Sequence, residues 1–232
     1  VFDLPCSTLF PNLSSISLGA DGDNVFVEGV RSGTESIRFK SVCPLKIVLG
    51  DWINDIDKAL MDHVIQDIWT LVTEERSIIE DARYPICTNQ AKIVGLEVKF
   101  WEIMQGCFQG TIPRKSRPDM LKNQKSSILD NIVILGTISG LSKDSYQVQS
   151  VANMILCLIQ QRDLFEKAFG DCQGGAYFEK NAFFLECAIQ KYFDKKTSEI
   201  SVRHLMTELS YGYKYLGFSS ANVSLAVTPL TE

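Results

Sequence analysis

The sequence is poor in the residues and patterns that usually announce chemistry. Only two of its 232 residues are histidine, His63 and His204, and neither belongs to a His-x-x-x-His or Cys/His pair, which argues against zinc. No G-x-x-x-x-G-K-[ST] occurs, so no P-loop is expected, and G-x-G-x-x-G and G-x-S-x-G are missing too. No block of Lys and Arg stands out and the net charge is −5. Phosphate contacts need clustered positive charge, so nucleic acid is not an expected partner. The longest apolar runs fall far short of the roughly 20 residues that a membrane span requires, so no membrane is expected either. The first residue is Val and nothing resembles a signal peptide, which reads as a piece of a longer polypeptide.

What is present is an ordinary globular balance, 45% apolar and 22% charged, in a chain long enough to bury a core without disulfide or metal staples. Seven cysteines, at 6, 43, 87, 107, 157, 172 and 187, form no C-x-x-C, and several lie inside apolar runs. An odd number in such surroundings predicts reduced thiols serving as small core residues in a cytosolic compartment. The sequons at Asn12 and Asn222 would then carry no glycan.

Periodicity predicts helices over most of the chain. Leu49, Trp52, Ile53, Ile56, Leu60, Val64, Ile68 and Leu71 fall three or four apart within a segment of about 49–81 that Pro85 ends. Further helices are expected at about 89–108, 118–139, 144–169 and 180–193, with one more turn at 198–206. Trp52 and Trp69 fit core anchors, and Leu158 should face the core. Before the helices, the Asp21-Gly22 turn signal and the alternating Val25 and Val27 suggest a small hairpin. Residues 209–231 look extended. The fold class expected is therefore mainly α: an elongated multi-helix bundle with a small β-hairpin near the N-terminus and an extended C-terminal strand. The acidic pairs Glu74-Glu75 and Glu80-Asp81, beside Arg76 and Arg83, read as solvated helix faces. Taken alone, the residues support a mostly helical cytosolic domain without a catalytic site.

A set of short motifs adds a more specific reading. "YGYKYLG" (Tyr211–Gly217) followed by "VTPLT" (Val227–Thr231) resembles the junction between the linker and the first AAA+ module of dynein heavy chains, where Y-G-Y-x-Y-L-G leads into V/I-T-P-L-T-D-R. "LFPNLSSISL" (Leu9–Leu18), "VFVEGV" (Val25–Val30) and "DWINDIDKALM" (Asp51–Met61) resemble linker segments in the same order. So do "ICTNQAKIVGLEVKFW" (Ile86–Trp101), "IQQRDLFEKAF" (Ile159–Phe169) and "NAFFLECAIQKYF" (Asn181–Phe193). The resemblance covers essentially the whole chain. Departures occur at Leu185, where the family usually has Trp, at Gln190 for Arg, at Gln160 for His, and in a longer spacer over Ser219–Leu225.

The resemblance implies a linker part at 1–218 and the start of an AAA+ module at 219–232. It implies a lever without ATPase activity of its own, in a parent that binds ATP and Mg. Val227, Thr228, Pro229 and Leu230 would flank the adenine of that nucleotide. No cofactor or metal is expected in this segment. The implied partners are the AAA+ ring of the same heavy chain, the microtubule through the parent, and dynein intermediate and light chains. The implied location is the cytoplasm and cytoskeleton, with a cilium or axoneme suggested by "YGYKYLG". The alternative is a non-motor helical scaffold or adaptor derived from such a heavy chain.

Overall fold

A computed structural model describes residues 2–6, 9–22, 24–46, 48–73, 77–108, 116–173 and 183–218. The chain divides into two compact units. The first comprises Val1–Ala59 with the residues from Tyr215 onward, and the second Leu60–Lys214.

The first unit is built on an antiparallel meander of β1 (Phe2–Pro5), β2 (Ser15–Asp21), β3 (Asn24–Ser32) and β4 (Glu35–Pro44), paired in that order. β-branched and aromatic residues at alternate positions make these strands. Their buried side chains meet across the ladder: Ile16 lies opposite Val30, Val30 opposite Ile37, and Val27 opposite Cys43. Each such pair is the elementary stabilising unit of a sheet.

Helix α1 (Leu49–Thr73) begins in the first unit and continues into the second. Its buried stripe is Trp52, Ile56, Leu60, Val64, Ile68 and Leu71; of the other residues expected on it, Ile53 is part-buried and Leu49 is exposed at the start of the helix. In the second unit follow α2 (Ile78–Arg83), α3 (Asn89–Phe108), α4 (Arg117–Leu141), α5 (Ser145–Gln173) and the single turn α6 (Phe183–Glu186). The chain then forms a three-stranded antiparallel sheet, β5 (Gln190–Asp194), β6 (Glu199–His204) and β7 (Thr207–Ser210). α4 lies along α5, while α3 packs against both α5 and β5. Thr88 starts α3: its hydroxyl accepts the Ala91 N–H at 3.4 Å and its carbonyl accepts the Lys92 N–H. Asp144 starts α5 in the same way, accepting from Tyr146 N at 3.0 Å.

The chain is thus not the mainly α bundle expected. Helix makes up 56% and strand 23% of the described residues, in two separate antiparallel sheets. The small hairpin is real but is the middle of four strands. Among the described residues, the helices expected at 180–193 and 198–206 are largely a β-meander, with only Phe183–Glu186 helical. The stretch after 209 is extended in β7 only as far as Ser210 and irregular over 211–218. Trp69 is not a core anchor. It is 44% exposed, with its ring edge-on to Phe193 at 6.4 Å.

Two buried polar clusters position the second unit's helices. Lys92 is 1% exposed, with its ammonium 3.5 Å from Asp81 Oδ2, 3.4 Å from Ser150 Oγ and over the ring of Tyr146. Asp67 accepts the backbone N–H of Thr88 at 2.7 Å and lies 3.6 Å from His63 Nε2. Asp81 is therefore not on the solvated face expected of the Glu80-Asp81 pair. A buried charge of this kind is tolerated only when paired, and here it fixes α2, α3 and α5 to one another.

Candidate functional site

The motif with the strongest resemblance, Tyr211–Gly217, forms neither strand nor helix. It is held by its side chains. In the second unit the Tyr211 hydroxyl accepts from Gln90 Nε2 at 2.9 Å, and the same amide donates to the Lys214 carbonyl at 2.9 Å. Tyr213 adopts φ 52, an uncommon conformation for a residue other than glycine. That turn brings its hydroxyl to the Ile200 N–H at 2.9 Å, while the Ile200 carbonyl accepts from Tyr211 N. The two rings meet edge-on, 5.1 Å between centroids.

In the first unit Tyr215 is buried and its hydroxyl donates to the Glu35 carboxylate, itself only 2% exposed. Burial, reinforced by the Glu35 charge, pushes the Tyr215 phenol well above its ordinary value. Asn12 Nδ2 donates to the Tyr215 carbonyl at 3.3 Å. Ser32 Oγ donates to the Asn12 carbonyl at 2.6 Å and accepts the Phe218 N–H at 2.7 Å. Gly217 has φ 86, and a Cβ there would stand 2.8 Å from the Asn12 carbonyl. A Cβ on Gly33, at φ 56, would come closer still to the Phe218 carbonyl. Both positions need glycine for conformation and for clearance. The first and last described motifs of the resemblance, around Asn12 and Tyr215, are therefore joined through Ser32 in one hydrogen-bonded cluster.

No protein-family model matches this chain, and no curated protein does.

The remaining motif residues are mostly structural. Phe10, Trp52, Trp101 and Phe165 are buried. Phe100 stacks edge-on with both Trp101 and Phe165, each at 5.0 Å, and Trp101 Nε1 donates to the Ile189 carbonyl at 3.1 Å. Two of the departures, Leu185 and Gln190, are partners. The Gln190 amide donates to the Leu185 carbonyl at 2.6 Å and its oxygen accepts from Tyr192 at 2.7 Å. Gln160 is exposed. Val227, Thr228, Pro229 and Leu230, expected beside an adenine, lie outside the described residues, as does the stretch 219–232.

Sequence reasoning missed Asn12, Ser32 and Glu35 as partners of the tyrosine segment. Their only signal was weak: a serine before a Gly-Thr turn and a glutamate after it, where a strand interior should be apolar. Among the described residues, no helix is long and apolar enough to cross a membrane.

Proposed function

We propose that this chain is a mechanical linker segment of a dynein-type heavy chain, a lever that couples ATP-driven changes of an AAA+ ring to microtubule-based movement. The ordered run of motifs motivates the reading. The observation that carries it is the anchoring of Tyr211–Phe218. A lever has to pass load between its body and the chain that leaves it, and a single loose connection would dissipate that load as slack. Here the exit segment is tied by Tyr211 and Tyr213 in one unit and by Tyr215 and Phe218 in the other. Several hydrogen bonds on the exit segment within each unit suit a part that carries load between two states.

In this reading the segment hydrolyses nothing. The parent binds ATP and Mg and acts as the ATPase, and the partners are its own ring, the microtubule, and intermediate and light chains. Cytoskeletal and axonemal locations belong to the same proposal. The test is to read the transcript beyond Glu232. A P-loop within about 40 residues, preceding further AAA+ modules, is the expected result. A stop codon there, or continuous sequence without a P-loop, overturns the motor reading in favour of a non-motor scaffold.

A further inference from the structure

One face of α4 is open and carries no charge between Leu129 and Gly140. Leu129, Val133, Gly136 and Gly140 recur at intervals of four, three and four residues, which sets them on a single stripe of the helix. All four are exposed, Val133 to 69%. Thr137, on the same face, gives its hydroxyl to the Val133 carbonyl at 3.0 Å, so the stripe presents no unpaired side-chain donor. Leu156, 60% exposed, adds to it from α5. The two helices run antiparallel through the Ser142–Asp144 turn, with Lys125 2.9 Å from Glu166, which brings Leu156 level with Leu135 and Gly136. Single exposed leucines are ordinary, but a continuous apolar stripe flanked by polar residues marks a contact surface.

Glycine is a poor helix former, and close packing within the chain does not require it here. A Cβ at Gly136 or Gly140 would meet no atom within 4 Å among the described residues. The distance between packed helices is set by the side chains at the contact, so two glycines one turn apart form a hollow for another helix. The order of the residues says which helix fits. Large side chains occupy one half of the stripe and glycines the other, at equal distances from a point between residues 134 and 135. About a two-fold axis at that point, a second α4 running antiparallel sets Leu129 against Gly140 and Val133 against Gly136 in both directions. The nearest charges do not oppose the pairing. Asp130 comes opposite Ser139, and Lys122 comes near the Ser142–Asp144 turn, where Lys143 and Asp144 offset one another. A foreign helix would need a matching pattern of its own, which a second copy already carries.

We propose that this face of α4 is a homodimer interface, in which two copies pair their α4 helices antiparallel about a two-fold axis between residues 134 and 135. Such a dimer would form whether or not the chain is a lever. The stripe is about 17 Å long, and a two-helix contact of that length falls below the roughly 800 Å² per partner of a standard interface. The association is therefore weak, with a Kd on the order of 10–100 μM.

Sedimentation velocity of the full chain from about 1 to 500 μM should show a reversible monomer–dimer equilibrium in that range. Val133→Glu sets a charge against the partner at a position that is exposed in the monomer. It should weaken association at least about tenfold and leave the melting temperature near that of the wild type. Val133→Gly, which removes a large side chain, and Gly136→Val, which fills the hollow, should each weaken it too. Combining the two restores large against small across the axis and should recover the wild-type Kd to within about threefold, with circular dichroism checking that α4 stays helical. A chain that remains monomeric to about 500 μM, as it would if another protein or another part of a longer polypeptide covers the face, overturns the proposal. So does association that Val133→Glu leaves undiminished, which would place the contact elsewhere, or a double exchange no better than the single changes.

Discussion

Tyr215 shows how one side chain can report on the integrity of a unit. Its phenol is held protonated by burial and by the facing Glu35 carboxylate. In the unfolded chain it ionises near pH 10. Because the folded pKa is the higher one, the contribution to stability is fully present below about pH 10 and is lost as pH rises beyond it, at up to about 1.4 kcal/mol per pH unit. Tyr192, Tyr211 and Tyr213 are shifted upward as well, each first by burial, and steepen the same limb. Urea melts across this alkaline range should show the decline. Tyr215→Phe should flatten part of it, while lowering neutral-pH stability by about 1–3 kcal/mol because the buried hydrogen bond from Tyr215 to Glu35 is lost. An alkaline limb identical in wild type and variant would remove Tyr215 from the account.

The thiols offer a second check. Burial pushes Cys157 up to about 12, with Glu97 adding to the effect, and it also raises Cys6 and Cys43. Cys187 is exposed. Alkylation of the native chain at mildly alkaline pH should modify Cys187 first and leave these three intact until denaturant is added, as peptide mass spectrometry would show.

Among the elements, α5 is the spine of the second unit, carrying Val151, Met154, Leu158 and Phe165 into the core. Leu158 is 2% exposed, and Leu158→Ala should cost about 2–5 kcal/mol in urea melts. A loss below about 0.5 kcal/mol would mean that the neighbouring side chains close around the shortened one. The long helices were legible because a 3.6-residue apolar period survives over many turns. The bounds of α3 emerged directly, since its apolar period begins shortly after Pro85 and the glycine- and proline-marked segment after Phe108 ends it.

The C-terminal sheet was not legible for a physical reason. "FFLECAIQKYF" is rich in good helix formers, and its strand character shows only once Gln190–Asp194 pairs with Glu199–His204. The signal that could have found it is the alternation of Ile200 and Val202 behind the Asp194–Ser198 turn, where Asp194 accepts from Lys196 N at 2.8 Å and Ser198 adopts φ 59. Similarly, β4 was hidden in "ESIRFKSVCP", whose Ile37, Phe39 and Cys43 alternate but are diluted by charge. At the candidate site, the tyrosines were visible as an unusual motif. Their partners Asn12, Ser32 and Glu35 were not, because nothing local links residues so distant in sequence.

For the whole molecule, the decisive contacts are those between Asn12, Ser32 and Glu35 and the segment Tyr215–Phe218. Truncation after Lys214 would remove a buried donor to Glu35 and one of the two hydrogen-bond partners of buried Ser32. Hydrogen exchange should then show lost protection through β2, β3 and β4, at a cost of about 3–5 kcal/mol, while α3 and α5 of the second unit keep theirs. Unchanged protection in the sheet would mean that the meander is self-sufficient.

The same closure sets a timetable for synthesis. The second unit is one uninterrupted stretch inserted into a first unit that is split between the two sides of it. A ribosome delivers the four strands early, yet the residues that finish their unit emerge only after all of Leu60–Lys214 has been made, a delay on the order of ten seconds. Throughout that interval the buried edges around Ser32 and Glu35 stand open to other chains. The inserted helices, complete in themselves, can fold meanwhile, so the part made first is the part finished last, and crowding or a pause in translation would harm the sheet before the helices.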